Sequence, residues 1–118
     1  MDVYNIPTAR EHAKTIKAAV PIEALYEQLA EEAAELSQAA NKMARVLRGE
    51  NPTPKSETEA KNNLIEEYTD VVSVAHNILD IRPDWLIADY KLYRWYKRLD
   101  EAAIKEYSCG PDYCENSR

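Results

Sequence analysis

Two short acidic stretches contain the residues of this sequence that are best suited to chemistry. They are EEAAE at positions 31–35 and EEYTD at positions 66–70. On a helix, residues three apart share a side, so Glu32 lies beside Glu35 and Glu67 lies beside Asp70. Glu32 also falls on an apolar stripe that is expected to face a neighbouring element. An ionised carboxylate on such a stripe is costly unless a cation, a proton or hydrogen-bond donors compensate it.

The two acidic pairs can meet if their helices fold back on each other. Gln28 and Lys42 share the face of the first pair, and Asn77 shares the face of the second pair at helical spacing. In an antiparallel hairpin these two faces approach each other, so four carboxylates converge. Facing pairs of carboxylates form an oxygen-rich cage suited to a hard cation such as Mg²⁺ or Mn²⁺. The sequence therefore predicts a metal site with four ligands: Glu32, Glu35, Glu67 and Asp70.

A solvated acidic surface is the alternative interpretation of these stretches. Asp and Glu are mostly exposed in proteins, and either pair alone would fit that interpretation. However, a surface helix stabilised by ion pairs would place lysines among the acids. No basic residue occurs between Lys17 and Lys42. The metal site is therefore favoured over the solvated face.

Composition limits the class of protein. The 118 residues fit one small domain, and two glycines with no phenylalanine favour helix over sheet. No apolar run approaches the ~20 residues that span a bilayer. The net charge of -6 disfavours a nucleic-acid polymer as partner, because phosphate-backbone binding needs clustered cations. With no secretion signal, and with Cys109 and Cys114 too few for a disulfide framework, we expect a cytoplasmic protein.

Four helical segments are predicted, with no strand. A first, weakly apolar helix spans 8–19, and a long second helix runs from Pro21 as its first helical residue to Arg48, where Gly49 stops it. A capping box of Ser56 and Glu59 begins the third helix, which ends before position 82. The fourth helix covers 83 to about 106. The fold class expected is all-α, an antiparallel bundle of about four helices.

Domain organisation and assembly follow from the same pattern. Residues 1–107 are predicted to form a single helical domain, and residues 108–118 a flexible tail with few apolar anchors. A chain this small, with apolar residues on more than one helix face, leaves much of its apolar surface uncovered. We therefore expect a homodimer or a dimer of dimers to complete the bundle.

The ordered motifs E-E-x-x-E and E-E-x-x-D on adjacent helices resemble the all-α nucleoside triphosphate pyrophosphatase superfamily, which includes MazG-like proteins. The resemblance covers residues 25 to about 81. It implies an enzyme that uses Mg²⁺, with Mn²⁺ able to substitute, to hydrolyse a nucleoside triphosphate between its α and β phosphates. The products would be a nucleoside monophosphate and pyrophosphate. The resemblance also implies that the two acidic pairs are the metal ligands.

Further roles are expected for residues around the cage. Glu31 and Glu66 adjoin the ligands, and one of them, with Glu31 preferred, would orient or deprotonate the attacking water. Lys42 would neutralise the outgoing pyrophosphate, as would a basic row on the fourth helix, although a solvated basic face is an alternative for that row. Asn77 would contact the sugar or base unless it is an ordinary polar helix position. The expected substrate-binding residues are Gln28, Lys42, Asn77, Lys91, Arg94 and Arg98.

Two other functions are compatible with the sequence. The first is phosphoribosyl-ATP pyrophosphatase, which EEAAE and the following AANK resemble, although this resemblance fades in the third and fourth helices. The second is a non-enzymatic helical interaction module whose acids form a solvated or partner-binding face. Binding of a divalent metal separates the module from both enzymes.

Overall fold

The computed structural model describes residues 8–50 and 56–108, with the side chains of all of these except residues 104–108. Every regular element in these ranges is helical, which confirms the prediction of an all-α chain with four α-helices. The chain divides into two compact units, Met1–Arg82 and Pro83–Arg118. The elements are α1 (Ala9–Ala19), α2 (Ile22–Arg48), α3 (Glu57–Val72), a π-helix (Ser73–Ile78) and α4 (Trp85–Ser108).

Helix α1 begins with a reciprocal cap that the sequence analysis did not anticipate. The Glu11 N–H donates to the Thr8 hydroxyl at 3.3 Å, and the Thr8 N–H donates to a Glu11 carboxylate oxygen at 2.9 Å. Such a capping box satisfies two of the four free N–H groups at a helix start. It compensates for the narrow apolar stripe of α1, whose one buried residue is Ala13.

Helix α2 spans 27 residues, and both of its ends are specified by backbone chemistry. Pro21 lies one position before the helix, in an extended conformation, and its carbonyl accepts the Ala24 and Leu25 N–H groups. The helix therefore starts at Ile22, one residue after the predicted start. At the other end Gly49 adopts a left-handed conformation with φ 70°, which glycine tolerates best.

Helix α3 begins where the sequence predicts and continues into a different helix type. The Ser56 hydroxyl accepts the Glu59 N–H at 3.1 Å, as expected for a helix cap. After Val72 the backbone hydrogen bonds span five residues instead of four, which is the π pattern. An example is the bond of 2.9 Å from the Leu79 N–H to the Val74 carbonyl. The π-helix ends at Ile78. Two residues later Asp80 has a φ of 58°, which is unusual for a residue with a side chain.

Helices α2 and α3 run antiparallel and form the most extensive interface between elements. Met43, late in α2, lines a pocket with Thr58 at the start of α3. Leu36, two turns earlier in α2, lines another pocket with Leu64, which lies further along α3. As residue numbers decrease along α2, the residues that they meet on α3 have increasing numbers. This register brings Glu35 on α2 towards Glu67 on α3.

The buried core of the described residues is small and rich in alanine. Ala39 on α2 and Ala60 on α3 are each only 2% exposed, so the two helices pack closely along this stretch. Leu25 and Val74 are the buried larger residues, consistent with contacts of the π-helix with both α1 and α2. Most large apolar side chains in the described ranges stay at least half exposed. The helices are thus held by a narrow seam rather than a broad core.

Helix α4 lies in the second unit and begins at Trp85, two residues after the predicted start. Asp84 causes this difference, because its carboxylate accepts the N–H groups of Leu86 and Ile87 at 3.0 and 3.2 Å and so caps the helix. The helix continues through Ser108, two residues past the predicted end. The rest of the predicted tail, 109–118 with both cysteines, lies outside the described residues, as does the loop at 51–55.

Across the described part of the chain, no helix combines the length and apolar character needed to cross a bilayer. The prediction of one domain over 1–107 concerns both compact units together and stays a prediction.

Candidate metal centre

Three of the four predicted metal ligands form one cluster between α2 and α3. Glu32 and Glu35 lie one turn apart on α2, and Glu67 lies opposite them on α3. One carboxylate oxygen from each of the three lies within 4.8 Å of the other two. Glu32 and Glu67 are half-buried, whereas Glu35 is exposed. The cluster is therefore open to solvent on the side of Glu35 and closed on the side of the helix interface.

Two oxygens of this cluster lack any hydrogen-bond partner among the described residues. They are Oε2 of Glu32 and Oε2 of Glu67, and both are buried. The other oxygen of Glu32 is satisfied, because the Gln28 amide donates to Glu32 Oε1 at 2.8 Å. A buried carboxylate oxygen without a donor loses its hydration with nothing in exchange. These two atoms have the chemistry of cation ligands, and the donor set therefore fits a hard divalent metal.

Mutual repulsion dominates the electrostatics of the cluster. The negative charge of Glu32 raises the pKa of Glu35 above its ordinary value, and the charge of Glu67 adds to this effect. Partial desolvation, a hydrogen bond with Glu67 and the charge of Glu31 raise the pKa of Glu35 further. Like charges held close together disfavour full ionisation of the set. A bound cation or a shared proton would relieve this repulsion.

The fourth predicted ligand, Asp70, lies outside this set of oxygens. It is half-buried on α3, one turn beyond Glu67 and in the last turn before the π-helix. Its side chain is one methylene shorter than that of a glutamate, so it reaches less far from the helix axis. Its role as a ligand stays a prediction.

The two acids expected to act on water are both at the surface. Glu31 on α2 and Glu66 on α3 are exposed, and each directly precedes a cluster residue. Glu31 is close enough for its charge to act on Glu35, and Glu66 makes no comparable contribution there. Glu31, the residue preferred from the sequence, is thus the one whose charge acts on the cluster. Its catalytic role stays a prediction.

The expected substrate-binding residues are distributed over α2, the π-helix and α4. Gln28 joins the cluster through Glu32. Lys42 is half-buried on α2, beyond Ala39 on the acidic face. Asn77 lies in the π-helix, where the slower winding changes the direction in which side chains point. It lines a pocket with residues of α1, and Asp70 is not among the residues of that pocket. Since Asn77 lies in a π-helix, α-helical spacing does not place it beside Asp70.

The predicted basic row lies on α4 in the second unit. Lys91, Arg94 and Arg98 line a pocket of about 330 Å³ with Trp95. The Arg94 guanidinium also lies over the Tyr90 ring, 5.8 Å from its centroid, in cation–π geometry. These three cations thus share one side of α4, as their spacing predicts, and their role in binding pyrophosphate stays a prediction.

Two features of functional interest were not predicted from the sequence. One is the Gln28–Glu32 hydrogen bond, for which the signal was present, since an amide four residues before an acid is a standard helical pair. The other is a cationic pocket between α1 and the π-helix, which no α-helical period could reveal.

Comparison with protein-family models, curated proteins and solved structures gave no match.

Proposed function

We propose that this protein is a metal-dependent nucleoside triphosphate pyrophosphohydrolase of the MazG-like kind. It would cleave a ribo- or deoxyribonucleoside triphosphate between the α and β phosphates, giving the monophosphate and pyrophosphate. The observation that carries the proposal is the cluster of Glu32, Glu35 and Glu67, in which two buried carboxylate oxygens have no donor. The two acidic motifs support the proposal by their resemblance to the superfamily. The cluster supports it by the proximity of three carboxylates.

The proposal assigns the cluster to Mg²⁺, which Mn²⁺ can replace. Glu32 and Glu67 would contribute their unpartnered oxygens, Glu35 would complete the set from the solvent side, and Asp70 would join as fourth ligand. A bound divalent ion would neutralise the triphosphate and lower the pKa of a water molecule near it. Gln28 would hold the Glu32 carboxylate in one orientation, as outer hydrogen-bond partners of metal ligands commonly do.

The remaining residues of the proposal act on water and on phosphate. Glu31, exposed beside the cluster, would orient or deprotonate the attacking water, and Glu66 is the alternative base. Lys42 would stabilise charge on the departing pyrophosphate. The α4 cations Lys91, Arg94 and Arg98 would bind phosphate, and Asn77 would contact the sugar or base.

Oligomerisation belongs to the same proposal. The described residues bury mostly alanine and leave apolar side chains such as Ile65 and Tyr68 more than half exposed. Contiguous exposed apolar surface commonly marks a protein interface. A homodimer or a dimer of dimers would cover this surface and complete the bundle.

Product analysis tests the proposed reaction. The purified protein is incubated separately with each common ribo- and deoxyribonucleoside triphosphate and Mg²⁺, and pyrophosphate and orthophosphate are measured independently. We expect a monophosphate and pyrophosphate from at least one substrate, no reaction in chelator, and poor support by Ca²⁺ because its coordination geometry is looser. Including phosphoribosyl-ATP distinguishes the alternative pyrophosphatase. Release of orthophosphate from the γ position, or no turnover of any triphosphate with Mg²⁺ or Mn²⁺, would refute the proposal.

A further inference from the structure

A second charged site lies between α1 and the π-helix, within the first unit. It is a pocket of about 460 Å³ whose lining includes four cationic side chains and one carboxylate. The cations are Arg10, Lys14 and Lys17 from α1 and Arg82 from the segment after the π-helix, and the carboxylate is Asp80. The whole chain carries a net charge of -6, so this local excess of positive charge is opposite in sign to the rest of the protein.

The α1 cations are close enough in sequence to repel one another. Arg10, Lys14 and Lys17 follow steps of four and three residues, so they share one face of α1, and like charges at this spacing destabilise a helix. Among the described residues, none of the three forms an ion pair within 4.0 Å; the ion pair found there joins Arg82 to Asp80. The arrangement is unfavourable for α1 by itself, and an anion in the pocket would relieve the repulsion.

The side of the pocket opposite α1 is formed by the π-helix and by Asp80, both of which have irregular backbone conformations. His76 and Asn77 line the pocket from the π-helix, a helix type that often occurs at functional sites. Asp80 then adopts φ 58°, and its carboxylate accepts a hydrogen bond from Arg82. The charge of Lys17 acts on the same carboxylate and, after the larger effects of Arg82, helps to lower the pKa of Asp80. Cations from two elements therefore meet around Asp80.

We propose that this pocket binds the phosphate groups of a small polyphosphate anion without the help of a metal ion. Arg and Lys are the side chains that bind phosphate oxygens most strongly. The pocket volume lies within the range of about 300–1,000 Å³ typical of small-molecule sites. Asp80 pairs with Arg82, and the incoming anion competes with Asp80 for that guanidinium.

This site does not depend on the proposed metal centre, so the two can fail separately. Calorimetry in chelator, at low ionic strength, would titrate inorganic triphosphate, pyrophosphate and orthophosphate into the parent and into Glu32→Gln. We expect saturable binding that strengthens with the charge of the probe, weakens as salt is raised, and is unchanged by Glu32→Gln. Adenosine triphosphate as a further probe shows whether a nucleoside adds affinity or only the phosphates are bound.

Three variants assign the binding to this pocket. Lys17→Gln should weaken triphosphate binding by about fivefold or more, because it removes one charge-assisted contact. The matched control Lys97→Gln removes an exposed lysine of α4 and should leave the affinity unchanged. Asp80→Asn should strengthen binding, since it frees Arg82 and removes the competing charge, while asparagine tolerates the left-handed backbone. Circular dichroism verifies that each variant is folded.

The proposal is overturned if triphosphate does not bind at millimolar concentration in chelator. It is equally overturned if Lys17→Gln and Lys97→Gln weaken binding alike, or if Asp80→Asn does not strengthen it. Binding of a single-stranded oligonucleotide more than tenfold tighter than triphosphate would also contradict it, because the surface would then be a nucleic-acid site.

Discussion

At the scale of single residues, three of the four carboxylates that the acidic motifs predict to converge lie together in the structure. The spacing of Glu32, Glu35 and Glu67 places them on facing helix sides, and the structure brings an oxygen of each within 4.8 Å of the others. Sequence spacing fixes which side of a helix a residue lies on, but it does not fix how far a side chain reaches. Asp70 therefore satisfies the motif and still lies outside this cluster.

A titration of stability tests the repulsion at Glu35. The neighbouring charges raise the pKa of Glu35 in the folded protein above its ordinary value of 4.5, so the folded state holds this proton more tightly than the unfolded state. In chelator the metal-free protein therefore loses stability as the pH rises from about 4.5 through the raised pKa. Glu35→Gln removes the charge and should melt higher than the parent above that window.

Thermal melts of the two proteins between pH 4 and 8 measure this difference. Below pH 4.5 the advantage of Glu35→Gln should vanish, because Glu35 is then protonated in both folded and unfolded parent. An advantage that is constant over the whole range would mean that repulsion is not its cause. A lower melting temperature for Glu35→Gln at pH 7 would mean that ionised Glu35 stabilises the fold on balance, contrary to the repulsion described.

At the scale of elements, the α2–α3 hairpin follows from sequence, and the π-helix does not. Helix ends at Ser56 and Gly49 have clear chemical signals, and two apolar faces of helical period imply that the helices pack. The π-helix over Ser73–Ile78 has no such signal in its sequence, and it contacts both α1 and α2. This segment changes the surroundings of Asn77 and forms the wall of the cationic pocket.

The close approach of α2 and α3 depends on small side chains. Ala39 is 2% exposed, so Ala39→Leu adds volume where there is no room and should destabilise the protein by about 1–3 kcal/mol. Ala40→Leu is the matched control, because Ala40 is exposed and the change should stay within about 0.5 kcal/mol. Denaturant unfolding of both variants measures the difference. Equal free energies of unfolding for the two would contradict the packing described for α2 and α3.

At the scale of the whole molecule, the sequence indicates an all-α chain and an excess of apolar surface, and both are seen in the described residues. Trp85 and Leu86 on α4 are 72% and 83% exposed, and the buried core consists mainly of alanine. How a second copy would cover this surface is not encoded in any local pattern, because an interface depends on the shapes of two surfaces. Assembly is therefore a prediction from area rather than from motif.

Light scattering at micromolar concentration tests that prediction. We expect a dimer or tetramer for the parent, because burying exposed aromatic and aliphatic side chains against a partner lowers the free energy of the assembly. Leu86→Glu places a charge on the apolar surface of α4 and should shift the population towards the monomer. A parent that is monomeric and fully active at this concentration would contradict the idea that assembly completes the site.

The central claim, that the carboxylate cluster is a metal site, is tested most directly by calorimetric titration of Mg²⁺ and Mn²⁺ into chelator-stripped protein. The parent is compared with Glu32→Gln and with Glu27→Gln, which makes the same change at an exposed position of α2 outside the cluster. We predict saturable binding to the parent and to Glu27→Gln, and binding weaker by about tenfold or more in Glu32→Gln, since that variant loses one ligand and one charge. Absence of binding to the parent, or equal affinities in the two variants, would contradict the account.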